Sequence, residues 1–201
     1  MEISMNAWEL IRSRRSTRKY DSNAVEREKL AQIVEAGRHA PSGGNSQTTH
    51  FIVIQKREVL DKLAELVRQE FAKMEVKEGM YVSMIHSIEA AKKGTYIFHY
   101  DAPILIVTAN QKDYGNNIAD CACALENMML MANALDLGSC WINQLRWLNE
   151  NPVLLAYLRS LGLGEHERVY GALAVGHPAT EDSLPVRTPL PRKGTPVTWI
   201  G

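Results

Sequence analysis

The sequence predicts an α+β fold in which helices flank an internal β-sheet. Two nearly continuous apolar runs, residues 102–109 (APILIVTA) and 168–176 (RVYGALAVG), have the pattern of strands that are covered on both faces. Several other segments repeat apolar residues at the three- to four-residue spacing of amphipathic helices. A sheet with helices packed against it accounts for both patterns.

The chain has the length and charge of one neutral globular domain. Its 201 residues predict a single domain over residues 1–201, and its 23 Lys and Arg residues balance 23 Asp and Glu residues. This balance provides no long-range attraction to nucleic acid or to an anionic membrane. No stretch approaches the roughly 18 uninterrupted apolar residues of a membrane span, and no secretory signal pattern is present. These features predict a cytoplasmic protein with no nucleic-acid or membrane partner.

The individual elements follow from local periodicity and from turn residues. The spacing predicts helices over residues 6–13, 26–38, 58–72, 81–92, 116–135 and 152–160, and shorter strands over 50–55 and 137–145. The helix over 116–135 is apolar nearly all round, so we expect a second subunit to cover part of it, with a plain core helix as the alternative. Four prolines keep the segment after residue 180 extended, and we expect this tail to lie across a partner subunit.

Residues 12–19 (RSRRSTRK) place five cations among eight residues. Such a run can be a solvated surface, a nucleic-acid patch or a phosphate-binding turn. Ser16 and Thr17 favour phosphate, because hydroxyl groups and planar guanidinium groups together match phosphate oxygens. Whole-chain neutrality and the lack of interleaved aromatic residues argue against nucleic acid. We call residues 12–19 the basic run, and we expect it to bind a small anionic ligand.

A second polar segment, residues 40–49 (APSGGNSQTT), lies between a predicted helix and a predicted strand. Turn chemistry explains Pro41 and Gly43. The side chains of Ser42, Asn45 and Gln47 can either cap loop backbone groups or hydrogen-bond a polar heterocycle. No set of His, Cys and acidic residues has metal-ligand spacing, so we expect no metal site.

Four motifs occur in an order that resembles the nitroreductase family of FMN-dependent oxidoreductases. They are RRSTRKY at 14–20, APSGGNSQ at 40–47, LGSCWIN at 137–143, and VGHP followed by VRTPL near the carboxyl end. The resemblance covers essentially the whole chain. It implies a nitroreductase-like central, mostly antiparallel sheet flanked by helices, and an extended C-terminal tail that crosses to the partner subunit. It also implies a homodimer with FMN at the subunit interface.

The resemblance also implies a role for each motif. Arg14, Arg15 and Ser16 would hold the FMN phosphate and ribityl chain, and Arg18 would approach the pyrimidine side of the flavin. The loop around Ser42 would meet the flavin from the other subunit, the segment 141–144 would lie beside flavin N5 and O4, and a tail cation would reach the phosphate. The expected cofactor-binding residues are Arg14, Arg15, Ser16, Arg18, Pro41, Ser42, Gly43, Asn45, Gln47, Trp141, Ile142, Asn143, Gln144 and Arg187.

The sequence departs from the family pattern at two places. Thr48 and Thr49 stand where the family loop commonly continues with Pro-Trp, and Asn143 stands where many members have Gly. The first departure changes the packing behind the flavin. The second places a side-chain amide where it can contact the flavin or narrow the substrate pocket.

The resemblance implies an enzyme in which the flavin, rather than a catalytic residue of the protein, is the reaction centre. NADH or NADPH would reduce FMN, and FMN would then pass two electrons to a nitroaromatic, a quinone or a similar small-molecule acceptor by a ping-pong mechanism. The alternatives are a flavin-consuming or dehalogenating enzyme of the same fold, and a non-catalytic flavin-binding module. No GxGxxG fingerprint is present to distinguish NADH from NADPH.

Overall fold

A computed structural model of the chain describes residues 5–201. In this part of the chain four strands form one sheet in the order β1-β2-β4-β3, and each neighbouring pair is antiparallel. The strands are β1 (His50–Ile54), β2 (Ile104–Gln111), β3 (Gly138–Ile142) and β4 (Glu167–Gly176). The predicted α+β class and antiparallel sheet are thereby confirmed.

Seven α-helices accompany the sheet in the described residues. They are α1 (Ala7–Ser13), α2 (Arg27–Arg38), α3 (Arg57–Ala72), α4 (Val82–Lys92), α5 (Asn117–Ala134), α6 (Gln144–Trp147) and α7 (Pro152–Ser160). Six of them agree with the predicted helices. The predicted strand over 137–145 was wrong beyond Ile142, because Asn143 adopts near-helical backbone angles and caps the short helix α6. Four residues are too few to show a helical period in the sequence.

The sheet lies between two hydrophobic cores. Alternate residues of β2 face opposite sides, so that Leu105 and Val107 join one core and Ile104 and Ile106 join the other. Helices α3, α4 and α7 contribute to the first core, and α2 and α5 contribute to the second. Both long strands are therefore buried on both faces, as their continuous apolar runs predict.

Helix α1 forms for local reasons but is poorly covered. The Asn6 side chain accepts a hydrogen bond from the Glu9 backbone N–H, and the Glu9 carboxylate accepts one from the Asn6 backbone N–H, which is a complete capping box. Trp8 is nevertheless 67% exposed and Ile11 50% exposed. The described residues therefore leave Trp8 and Ile11 of α1 largely uncovered, although Leu10 is half-buried.

Helix α5 packs against the sheet along only one side. Cys121, Leu125 and Met128 are fully buried there. On another side, Ile118, Ala119 and Cys123 are exposed. The predicted burial on most sides is thus incomplete within one chain.

The C-terminal segment has neither helix nor strand after residue 179. Its exposed apolar side chains include Val186, Leu190, Trp199 and Ile200. This extended course agrees with the prediction from its prolines, whereas its crossing to a partner subunit stays a prediction. No helix among the described residues is both long enough and apolar enough to span a bilayer.

Candidate FMN site

The basic run is fastened along the edge of the sheet. Strand β3 is an edge strand, and Ser16 forms a parallel bridge with Ser139 on it. The Thr17 backbone N–H donates to the Ser139 carbonyl oxygen at 2.9 Å. A second bridge, between Tyr20 and Pro178, fixes the end of the run. The backbone of Arg18 and Lys19, which lie between these two contacts, is therefore fixed at both ends.

The cations of the basic run differ in exposure and in pairing. Arg14 and Arg15 are half-buried, whereas Arg12, Arg18 and Lys19 are exposed. Arg14 has one acidic neighbour, with 3.8 Å between its Nε and Oε1 of Glu126. Within the described residues, Arg15 and Arg18 have no carboxylate within 4.0 Å. The run therefore holds positive charge that no carboxylate among residues 5–201 balances at Arg15 and Arg18.

Arg18 lies among neutral groups. Its Nε donates to the Tyr100 hydroxyl at 3.3 Å, and its guanidinium carbon lies 5.7 Å from the centroid of the Tyr100 ring. Burial raises the pKa of the Tyr20 hydroxyl and the pKa of the Cys140 thiol, so both nearby groups stay protonated at neutral pH. The positive charge of Arg18 is consequently available to an anionic ligand.

The segment 141–144 connects β3 to α6 and is largely occupied by contacts within the chain. The Trp141 indole N–H donates to Oδ1 of Asn143 at 3.0 Å. Ile142 is buried in the core, and the Gln144 amide donates to the Tyr96 hydroxyl at 2.6 Å. Trp141 and Asn143 are therefore the two residues of the segment whose side chains remain partly exposed.

The loop over residues 40–49 is anchored at the start of α5. The Gly43 backbone N–H donates to the Asp120 carboxylate at 3.0 Å, and the Tyr114 hydroxyl donates to the Gly43 carbonyl oxygen at 3.0 Å. Sequence reasoning missed both anchors, because each lies more than 70 residues away along the chain. Both backbone polar groups of Gly43 are thus hydrogen-bonded to residues in or just before α5.

Within the loop, the polar side chains bond one another and the backbone. The Ser42 hydroxyl accepts from the Gln47 backbone N–H at 3.0 Å, and the Gln47 amide donates to Oδ1 of Asn45 at 3.1 Å. Asn45 and Gln47 adopt left-handed backbone conformations, with φ of 57° and 51°. The capping role left open by the sequence is therefore present, and the remaining donors and acceptors of these amides are still free to meet a ligand.

Beside this loop lies a cavity of about 400 Å³. Pro41, Ser42, Asn45, Gln47 and Thr49 are among the residues that line it. Thr49, one of the two departures from the family pattern, is thus part of the wall. A cavity of this size and polarity is of the kind that takes part of a small-molecule ligand.

The basic run and this loop lie at different ends of α5 in one chain. The loop contacts Asp120, whereas Ser13, at the start of the run, accepts a hydrogen bond from the Asn133 amide at 3.0 Å. Asn133 lies thirteen positions after Asp120, which corresponds to about 20 Å along the helix. The Arg14 side chain reaches back to Glu126, which is six positions, or about 9 Å, from Asp120. One chain therefore does not bring the two predicted parts of the site together.

Arg187 lies near the start of the basic run, but its charge is engaged. Its Nε donates to Oδ1 of Asn133 at 3.2 Å, and its Nη2 lies 2.6 Å from Oδ1 of Asp136. Because Asn133 also binds Ser13, this network joins the tail to the end of α1. No local pattern in the sequence indicates Asp136 as a partner of Arg187.

His86, His99 and Cys121 lie outside this geometry. His86 is exposed, and His99 is buried with no hydrogen-bond partner for either ring nitrogen. Burial raises the pKa of the Cys121 thiol to about 12. Among residues 5–201 no group of three or more His, Cys, Asp or Glu side chains is placed to hold a metal ion.

An antiparallel sheet with helices on both faces, and a cationic segment along its edge strand, define an α+β protein with a cationic sheet edge. The model of the nitroreductase family matches residues 11–177, and the chain belongs to that family. The family suggested by the four sequence motifs is thereby confirmed.

The relatives of the chain agree with this membership. A nitroreductase from Bacteroides fragilis, solved with bound FMN, is 36% identical with a TM-score of 0.86, and the match covers 98% of this chain and 100% of that one. A protein from Archaeoglobus fulgidus named "Putative NADH dehydrogenase/NAD(P)H nitroreductase" is 28% identical, over 86% of this chain and 85% of its own length. An FMN reductase [NAD(P)H] from Bacillus subtilis is also 28% identical, over 87% and 67% of the two chains.

Proposed function

We propose that the protein is an FMN-dependent oxidoreductase that takes electrons from NADH or NADPH. It passes them two at a time to a nitroaromatic, a quinone or a similar conjugated acceptor, in a ping-pong cycle. Family membership, the FMN bound by the Bacteroides fragilis relative and the nucleotide in the names of the other relatives support this proposal. FMN supplies the hydride chemistry when it is bound.

The observation that carries the proposal is the unbalanced charge of the basic run. Arg14, Arg15 and Ser16 take the phosphate and ribityl chain of FMN, and Arg18 takes the pyrimidine side. The one acidic neighbour, Glu126, is about half exposed and lies 3.8 Å from Arg14, so a phosphate displaces this contact at little cost. Guanidinium groups suit this role because they bind phosphate oxygens through two parallel hydrogen bonds.

The complete site requires two subunits. In one chain the α5 contacts of Ser13 and of Gly43 are about 20 Å apart, and the α5 contact of Arg14 is about 9 Å from that of Gly43. In a twofold-symmetric homodimer, the loop of one subunit completes the site that begins at the basic run of the other. The exposed apolar residues of α1, of α5 and of the tail provide the surface that such a dimer buries.

The remaining expected residues contribute to FMN binding to different extents. Trp141 and Asn143 meet the flavin through partly exposed side chains, whereas Ile142 and Gln144 shape that segment from inside. Arg187 adds a cation near the phosphate, but Asp136 already offsets much of its charge. We therefore expect the loss of Arg187 to weaken FMN binding less than the loss of Arg14 does.

In this proposal the protein acts through position and charge. Arg18 beside the pyrimidine edge of the flavin favours the anionic reduced form, which is an electrostatic contribution to the driving force. A single open face next to Trp141 and Asn143 admits the nicotinamide and the acceptor in turn. The bound nucleotide needs no dinucleotide-binding fold for this brief stacking.

The test begins with the visible spectrum of the purified protein. We expect a flavin spectrum, either as purified or after addition of FMN, and bleaching of that spectrum by NADH or NADPH without oxygen. Reoxidation by an acceptor panel, with parallel double-reciprocal plots, checks the ping-pong cycle. A protein that gains no flavin spectrum with added FMN would contradict the proposal, and a bound flavin that neither nucleotide bleaches would favour the flavin-consuming or dehalogenating alternatives.

A further inference from the structure

Tyr100 stands in an unusual backbone conformation directly before β2. Tyr100 and Asp101 have φ of 57° and 60°, so two consecutive residues with side chains occupy the left-handed region. This region is unfavourable for residues that carry a side chain. A conformation of this kind persists only where the surrounding structure imposes it.

The chain on each side of this turn is fixed. His99 and Ala102 are both buried, and the Ala102 backbone N–H donates to the His99 carbonyl oxygen at 3.2 Å. Asp101 forms an ion pair with Arg57, at 2.7 Å between Oδ1 and Nη2. The turn therefore presents the Tyr100 side chain in one direction.

The Tyr100 side chain contacts Arg18. The Tyr100 hydroxyl accepts the hydrogen bond from Nε of Arg18, and this is the only hydrogen bond of the Arg18 side chain within the described residues. The Tyr100 ring also lies 5.7 Å from the guanidinium carbon, within the range of a cation–π contact. Tyr100 thus occupies Nε and leaves both terminal nitrogens of Arg18 free.

We propose that Tyr100 is a positioning residue for the flavin reaction, which orients Arg18 so that its two terminal nitrogens face the pyrimidine edge of FMN. This inference rests on the proposed function and goes further, because it assigns control of the flavin reduction potential to a residue outside the four family motifs. A long exposed arginine samples many rotamers, and the phenol restricts them. The left-handed conformations of residues 100 and 101 belong to the turn that presents the phenol to Arg18.

The test removes only the Tyr100 hydroxyl. In Tyr100→Phe, we expect the midpoint potential of bound FMN to fall, and anaerobic reduction by the nucleotide to slow about tenfold, the size expected for losing a hydrogen bond to a charged group. FMN affinity stays within about threefold, because Arg14, Arg15 and Ser16 are unchanged. Tyr81→Phe is the matched control, since Tyr81 is 65% exposed and its hydroxyl has no partner among the described residues.

A double-variant cycle separates positioning from a purely structural role. If Tyr100 acts through Arg18, Tyr100→Phe changes neither the potential nor the reduction rate once Arg18→Gln is present. Tyr100→Gly provides a second route, because glycine tolerates the left-handed conformation and relieves strain while removing the phenol. We expect its bound FMN to show the same lower potential as in Tyr100→Phe.

The outcomes distinguish this inference from the proposed function. A wild-type protein that binds no FMN overturns both. A wild-type protein that binds and reduces FMN, with the same potential in Tyr100→Phe, overturns the role of Tyr100 alone. An equal fall in potential with and without Arg18 also overturns it, because Tyr100 would then act on the flavin by another route.

Discussion

At the scale of single residues, the basic run contains cations with different environments. Arg14 is half-buried and directly precedes the segment that pairs with β3, whereas Lys19 is exposed and has no ion pair among the described residues. The charge of the run is therefore not one uniform patch. Its members differ in what they can contribute to a bound phosphate.

We expect Arg14→Ala to weaken FMN binding by at least tenfold, because it removes charge-assisted hydrogen bonds to the phosphate, each worth about 1.5–3 kcal/mol. Lys19→Ala is the matched control, and its dissociation constant should stay within about twofold. Titration of the apoprotein with FMN, followed by flavin fluorescence, measures both values. Equal retention of FMN by the two variants would show that the phosphate does not lie at this end of the run.

His99 makes folding stability depend on pH. Burial, the main cause, lowers its pKa below the usual value of about 6.5, so the folded protein keeps the ring neutral where the unfolded chain binds a proton. Folding stability therefore falls as the pH drops below about 6.5, until the lower pKa of the folded state is reached. Neither ring nitrogen has a hydrogen-bond partner that would oppose this effect.

His99→Phe should remove that contribution while filling similar space. We expect the variant to be as stable as the wild type or slightly more stable at pH 7.5, and to gain stability relative to it as the pH falls to 5.5. Urea unfolding of both proteins at the two pH values measures the difference. A constant gap between them at both pH values would mean that His99 is not the titrating group.

At the scale of elements, the loop over residues 40–49 depends on α5 and on the turn before it. A methyl group at Gly43 would lie 1.9 Å from Nδ2 of Asn116 and 2.6 Å from the Tyr114 hydroxyl oxygen. At both distances the Asn116 and Tyr114 side chains or the loop itself would have to move to make room for a side chain. Gly43 is therefore favoured by a close approach, and not only by the conformation of a turn.

We expect Gly43→Ala to cost about 1–3 kcal/mol of folding stability, because the loop must move away from α5. In the proposed dimer this shift also displaces Ser42 and Asn45, so FMN binding should weaken several-fold. Gly115→Ala is the control in a nearby turn, since a methyl group there meets nothing within 4 Å. Thermal unfolding and FMN titration of both variants test the anchor, and equal behaviour would refute it.

At the scale of the whole molecule, the exposed apolar residues of α5 and the divided cofactor site both bear on the proposed homodimer. Ala119 is exposed beside Ile118, which is 47% exposed. In one chain the contacts that Ser13 and Gly43 make with this helix lie about 20 Å apart. In the proposed homodimer, the partner subunit covers the apolar residues and also completes the cofactor site.

We expect Ala119→Glu to shift the protein toward monomers and to lower its FMN content in parallel, because a charge is buried without a partner at the interface. Ala156→Glu is the matched control, since Ala156 is an exposed alanine on α7, across the sheet from α5. Sedimentation measures the assembly state, and absorbance measures the flavin. A monomeric Ala119→Glu protein with full FMN content would contradict the two-subunit site.

The sequence by itself determined most of the secondary structure and the family. Helical and strand periods depend on neighbours a few residues away, so α2, α3, α5, β2 and β4 were predictable from apolar spacing alone. The basic run and the loop around Ser42 were recognisable because their unusual residue types are contiguous. The four-residue helix α6 was missed because it is shorter than any period.

Only the tertiary structure decided which distant groups meet. The contact between Arg18 and Tyr100 joins positions 82 residues apart, and the anchor between Gly43 and Asp120 joins positions 77 apart. The engagement of Arg187 by Asp136 and the exposure of α1 likewise depend on how the chain packs. Local sequence patterns do not reveal these pairings, because the contacts form only after folding of the sheet has brought remote segments together.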